Sequence, residues 1–200
     1  MLMSAFWEHL GIVFFTLLLS IVLAAVICWF LLQSERATNI TVQIFSEIYS
    51  IPSLALFALL IPLLGLGNKT AIPVLVLYNQ YLLIRNFMTG MQQVDKSILE
   101  AGTGMGMNKW QLVTRVQLTL AMPSVIAGIR LAIISTTGIA TIAATINAGG
   151  LGKILLSGLR TMNTYKILWG TILCVIIALA ADTLLRLLEK KTKRYTADKK

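Results

Sequence analysis

Two glycine-rich stretches hold the residue types that, at the right spacing, cradle phosphates. "NAGGLGKI" (147–154) comes close to the nucleotide loop G-x-x-x-x-G-K-[ST], but Asn147 stands where the first glycine belongs. Ile154 replaces the Ser or Thr that would hold magnesium. "GTGMG" (102–106) lacks the preceding strand that a dinucleotide fingerprint requires. Neither stretch is expected to bind a nucleotide. Metal chemistry has no better footing, because His9 is the only histidine and Cys28 and Cys174 sit inside apolar runs as packing residues. No catalytic, cofactor or metal site is expected in this chain.

What must position these residues is a membrane protein. The chain is 57% hydrophobic and 12% charged, whereas soluble domains average about 45–50% apolar and about 25% charged. The net charge of +9 is concentrated, above all in the tail "EKKTKRYTADKK" (189–200). It lacks the aromatic interleaving of strand-binding surfaces, so a nucleic-acid partner is not expected. No Lys or Arg precedes the first apolar run, which ends in "QSER" without a small-residue cleavage site. That run is expected to stay as a span rather than leave as a signal peptide.

A spanning helix needs about 20 mostly apolar residues. Five segments qualify: Leu10–Leu32, Ile44–Gly67, Ala71–Met88, Pro123–Ala148 and Tyr165–Leu188. Kinks are expected at Pro52 and Pro62, where a backbone donor is lost. With the N-terminus outside, Arg36, Lys96, Lys109, Arg115 and the six basic residues from Lys190 to Lys200 all fall in the cytoplasm. The tail then reads as an anchor on anionic membrane lipid. In the fourth span Gly128, Ala132, Thr136, Ala140, Ala144 and Ala148 recur every four residues. Such a ridge lets backbones approach, and it suits both close packing and a pathway wall. "NAGGLGKILLSGLRTMN" (147–163) reads as a short interfacial or re-entrant helix. Glu47, Arg85, Arg130 and Asp182 are costly in lipid and are expected to face the bundle or a cavity. Glu47, Arg85, Arg130 and Arg186 also lie close enough to cytoplasmic ends to snorkel, and Asp182 can pair with Arg186 one turn on.

The one long cytoplasmic loop covers about 91–121. Ser97 and Glu100 have capping-box spacing, and Gly106 is placed to end the short helix in a left-handed turn. Asn108 and Gln111 repeat the box for a second helix, with Trp110, Val113 and Val116 on one face and Pro123 opening the fourth span. Helix, glycine turn, helix is a surface that another protein's backbone can approach; it is also what an ordinary well-capped loop looks like.

This loop resembles the EAA loop of permease subunits in bacterial ABC importers, whose pattern is E-A-A, three residues, G, nine residues, I-x-L-P. Glu100, Ala101 and Gly102 take the E-A-A positions, Gly106 the glycine, and Val116, Gln117 and Leu118 the I-x-L. Gly102 departs from the second alanine and Thr119 from the proline. "IYSIPSLALFALLIPLLGLGN" (48–68) and "NAGGLGKILLSGL" (147–159) resemble the permeases of importers of glycine betaine, carnitine, choline and related osmoprotectants.

The resemblance implies an all-α, ABC type I importer permease fold, with residues 1–200 as one transmembrane permease domain. It implies two cytosolic ATPases that bind ATP and magnesium, a second permease subunit, identical or related, and an external substrate-binding protein. Ser97, Glu100, Ala101, Gly102, Gly106, Asn108, Val116 and Leu118 would couple to the ATPase. Since quaternary ammonium groups sit over aromatic faces, Tyr49, Tyr78, Tyr81 and Trp169 are candidates for transient substrate contact, against a packing role for each. The alternatives are an importer permease for another small solute, such as an amino acid, and a passive channel or membrane scaffold.

Overall fold

Thirty residues, Leu2–Leu31, form α1, whose only formal charge is Glu8. The computed structural model describes residues 2–197 and side chains through Thr192, so the far end of the basic tail lies outside the described residues. The other helices are α2 (Glu35–Ser50), α3 (Ser53–Leu64), α4 (Asn68–Gln92), α5 (Lys96–Gly104), α6 (Lys109–Gln111), α7 (Leu118–Ile142), α8 (Leu151–Arg160) and α9 (Thr164–Ala197). A π turn, Leu112–Gln117, joins α6 to α7, and a 3-10 turn, Ala143–Ile146, ends α7. No strand occurs among the described residues.

Among the described residues three helical stretches are long and apolar enough to cross a membrane: Leu2–Leu31, Lys109–Ile146 and Thr164–Thr192. The second expected span, Ile44–Gly67, is broken. Ser34 caps α2 by accepting from the Ala37 amide at 3.3 Å, the helix stops at Ser50, and α3 leaves at 95°. Pro52 causes the break, since it lacks an amide donor and drives Ile51 into extended backbone. Pro62, by contrast, is carried inside α3 without interrupting it.

α4 is long enough to cross but is the least apolar of the passes. It needs no lipid-compatible surface, because α1, α2, α3 and α7 enclose it. Asn79 and Gln80 are fully buried there. Asn79 Nδ2 donates to Ser20 Oγ on α1 at 3.1 Å and to Thr136 Oγ1 on α7 at 2.8 Å. Polar side chains thus tie three helices together where water cannot compete. The expectation of a central fourth span is met by α7, which packs on α1, α4, α8 and α9; α4 shares that position.

The start of the fourth pass differs from expectation. Pro123 lies inside α7 rather than opening it, and helix runs on from Lys109 through Ile146. The π turn provides the physical reason: it absorbs a register change that would otherwise need a break. Thr119, in the place of the family's proline, keeps its amide for the helix and donates its hydroxyl to the Arg115 carbonyl at 2.9 Å.

Toward one end of the bundle, Arg130 of α7 reaches α9. Its Nε lies 2.8 Å from Asp182 Oδ1 and its Nη1 2.5 Å from Glu189 Oε2. Arg186 completes the group at 3.0 Å from Asp182 Oδ2. At the opposite end, Glu8 accepts from the Gly150 amide at 2.9 Å and pairs with Lys153 at 3.4 Å. Gly149 and Gly150 have φ of +95° and +69°. A Cβ on either would strike Glu8 or His9 within 2.9 Å, so glycine is required for the turn to close over α1. The short helix expected after this turn is present as α8.

Candidate functional site

The turn between α5 and α6 is built from three local devices. Asp95, not Ser97, caps α5: its Oδ1 accepts from the Ser97 amide at 2.9 Å. The chain leaves α4 in a tight turn, so the helix begins one residue before Ser97, which falls in the first turn instead of the cap. At the other end the Met107 amide donates to Gly102 O at 3.1 Å and the Gly106 amide to Thr103 O at 2.9 Å, with Gly106 at φ +82°. This is a Schellman stop, and the left-handed residue is where glycine avoids a Cβ penalty. The third device is the expected box on α6: Asn108 Oδ1 accepts from the Gln111 amide at 2.9 Å, and Gln111 Oε1 from the Asn108 amide at 3.0 Å.

Between these caps Ser97, Glu100, Ala101, Gly104, Gly106 and Asn108 are exposed. Gly104 has no atom within 4 Å of where a Cβ would stand. Gly102 is different. It is buried, and a Cβ there would meet Leu112 Cδ2 at 2.6 Å and Met107 Sδ at 3.3 Å. The departure from the family's alanine thus makes room for Leu112. Val116 and Leu118 are half-buried at the π turn. Trp110 lies edge-on to Trp29, centroids 4.8 Å apart, which ties α6 to the end of α1.

The small-residue ridge faces inward along its whole length. Gly128, Ala132, Thr136, Ala140, Ala144 and Ala148 are all buried. A Cβ on Gly128 would stand 2.8 Å from Asn86 Cβ on α4. Gly90 on α4 is equally tight against Ser124, at 2.6 Å, a close approach that its place near the end of an apolar run gave little cause to single out. Within the chain this ridge packs against neighbouring helices, and at its far end Ala144 also lines a cleft with Asn147, Lys153 and Arg160.

Three of the four candidate aromatics come together. Tyr49 of α2 lies 5.5 Å from Tyr78 and 5.1 Å from Tyr81 of α4, centroid to centroid. The Tyr78 hydroxyl donates to the Ile51 carbonyl at the α2–α3 break. Trp169 is on the exposed side of α9, with no ring contact to the tyrosines among the described residues. Below the tyrosines, a cleft of about 370 Å³ between α2 and α4 is lined by Asn39, Gln43, Ser46, Tyr81, Arg85 and Gln92, among others. The exposed side of α2 carries a polar stripe of Glu35, Arg36, Asn39, Gln43, Glu47 and Ser50, with Ile40 and Ile44 exposed beside it.

Of the ionisable residues, Asp182 pairs with Arg186 as expected, while Arg130 does not snorkel but clasps α9. Sequence reading missed Glu189, Glu8 and Asp95. For Asp95 the signal was present, an Asx residue two before Ser97. For the other two, partners 59 and 142 residues away left no local trace.

Residues 16–194 match the family described as "Binding-protein-dependent transport system inner membrane component". The carnitine transport permease protein OpuCD of Listeria monocytogenes serotype 1/2a (strain 10403S) is 34% identical over 189 residues, 94% of this chain and 85% of that protein. The glycine betaine/carnitine/choline transport system permease protein OpuCB of Bacillus subtilis (strain 168) is 35% identical over 184 residues, 92% of this chain and 85% of that protein. A solved structure of the MetNI methionine ABC transporter in an inward facing conformation superimposes with a TM-score of 0.83 at 20% identity, covering 93% of both chains. At that identity the likeness is one of fold.

Proposed function

The chain belongs to the family of binding-protein-dependent transport system inner membrane components, and on that premise we propose that it is the permease subunit of an ATP-driven importer of quaternary ammonium osmoprotectants such as glycine betaine, carnitine and choline. It is a multi-pass inner-membrane protein and a non-catalytic component. The substrate class rests on the permeases at 34–35% identity that cover nearly the whole chain. In this reading the N-terminus is outside and the C-terminus cytoplasmic. Two cytosolic ATPases hold the ATP and magnesium, a second permease completes the pathway, and an external binding protein delivers the solute.

The observation that carries the coupling role is the exposed α5–α6 turn, fixed by two caps and a Schellman stop. A rigid, low-profile knob of this kind suits a cleft in a partner, and rigidity lets a pull on it reach α4 and α7 directly. The exposed polar stripe of α2 is too hydrophilic for lipid; in this reading it faces the second permease and the water between them. ATP binding would then close the ATPases, move the α5–α6 knobs and rock the two bundles between inward- and outward-open states.

Co-expression with the ATPase subunit of an osmoprotectant importer tests the proposal. Gly104→Trp adds bulk where nothing within the chain opposes it. It should insert and fold as wild type, yet fail to co-purify with the ATPase or to stimulate hydrolysis. Wild-type chain that inserts but binds no ATPase would favour the channel or scaffold reading.

A further inference from the structure

We propose that the cleft between α2 and α4 is a binding site for a zwitterion joining a trimethylammonium to a carboxylate, with Arg85 taking the carboxylate and Tyr49 and Tyr81 the ammonium. The proposal rests on the importer reading and specifies where in this chain the solute pauses and what distinguishes one solute from another.

Arg85 is the first observation. It stands seven residues before the end of α4 and could extend toward the headgroups there. Instead its Nη1 donates to the Tyr81 hydroxyl at 2.5 Å, one turn back along the helix and away from that end. Its guanidinium carbon lies 5.7 Å from the Tyr81 ring centre. Among the described residues no carboxylate pairs with it. Arg85 is exposed on the cleft, turned back along the helix and paired with no carboxylate among the described residues, which leaves its charge for an anion supplied from elsewhere. Guanidinium has five donors in a fork that matches a carboxylate, and only one is used on Tyr81.

The second observation is the aromatic group one turn further on. Tyr49 and Tyr81 lie at 35° to each other, and Tyr78, held by Ile51 and edge-on to Tyr49, fixes that pair as a positioning residue. Both Tyr49 and Tyr81 remain partly exposed. Electron-rich ring faces beside an open cleft attract a quaternary ammonium, which can make no hydrogen bond of its own.

The third is the cleft itself. Its volume of about 370 Å³ falls in the usual ligand-pocket range of about 300–1,000 Å³. Asn39, Gln43 and Ser46 line the α2 wall with neutral polar groups, which hydrate a passing solute without binding it tightly. A zwitterion satisfies both ends at once. A plain cation such as choline meets the tyrosines but leaves Arg85 uncompensated and is repelled by it.

Saturation-transfer NMR on the full chain in lipid nanodiscs tests this through the sharp trimethylammonium resonance, with glycine betaine and choline as probes. Wild type is expected to transfer saturation to glycine betaine at least fivefold more than to choline. Arg85→Gln, which keeps a donor for Tyr81 but not the charge, should remove that preference by weakening glycine betaine and not choline. Tyr49→Leu should weaken both. The proposal is overturned by the absence of transfer to glycine betaine in wild type, by a preference that survives Arg85→Gln, or by Arg85→Gln lowering both probes equally. Neither the ATPase nor the binding protein takes part, so a failed importer reading would show instead as normal zwitterion binding without ATPase coupling.

Discussion

Asn79 brings an amide donor and a carbonyl into the middle of a lipid-embedded bundle, and both are used. Its amide reaches Ser20 and Thr136, and Thr136 returns its hydroxyl to the Asn79 carbonyl at 3.0 Å. Asn79→Ala should lower stability by about 1–2 kcal/mol, because Ser20 and Thr136 then lose partners away from water; unfolding by denaturing detergent from mixed micelles reads the difference. Arg130 behaves as a shared counter-ion. Arg130→Ala should destabilise the fold more than Asp182→Asn or Glu189→Gln, since it removes the guanidinium that holds both carboxylates of α9 to α7. Combining it with both neutral substitutions should recover most of the loss in thermal unfolding. At this scale the sequence was legible where partners are neighbours. The partners in the Asn108–Gln111 box, the Gly106 stop and the Asp182–Arg186 pair are five positions apart or fewer. Glu8 and Glu189 were not legible, because which distant residue a carboxylate meets is decided by helix packing.

Among the elements, α5 shows how one glycine can be replaced and its neighbour cannot. Gly104 is helical and unobstructed, so Gly104→Ala should strengthen α5 by about 0.5–1 kcal/mol through reduced chain freedom. Gly106 sits at φ +82°, and Gly106→Ala should weaken the same turn by about 1–2 kcal/mol. Hydrogen exchange of the α5 amides should slow in the first variant and quicken in the second. The helix–turn–helix itself was readable from its caps. The break at Pro52 was readable as a kink but not as a right-angled turn, because proline removes a hydrogen bond without fixing the direction the chain then takes. The uninterrupted passage from α6 into α7 was hidden for the converse reason: Pro123 reads as a boundary, while a π turn leaves no composition signal.

For the molecule as a whole, five passes were expected; among the described residues three helical stretches are long and apolar enough to cross, a fourth pass is bent at Pro52, and α4 is helical but too polar to stand in lipid alone. What the pattern could not give is which pass is enclosed, and that explains why α4 tolerates Asn79 and Gln80, while Arg85 stands exposed on the cleft against α2. The break after α2 has a further consequence. Sixteen helical residues rise only about 24 Å, short of a hydrocarbon core of about 30 Å, and α3 then turns aside with Leu54, Leu59 and Leu63 exposed along it. One wall of the bundle is therefore shorter than the others, and where its apolar α3 face rather than the polar stripe of α2 meets lipid, that lipid must compress to reach it. Such hydrophobic mismatch costs fractions of a kcal/mol per Å and changes whenever the bundle tilts. Solute uptake by the reconstituted importer should accordingly be faster in short-chain than in long-chain phosphatidylcholine vesicles. A cell could then set the rate of this protein through the acyl-chain length of its membrane.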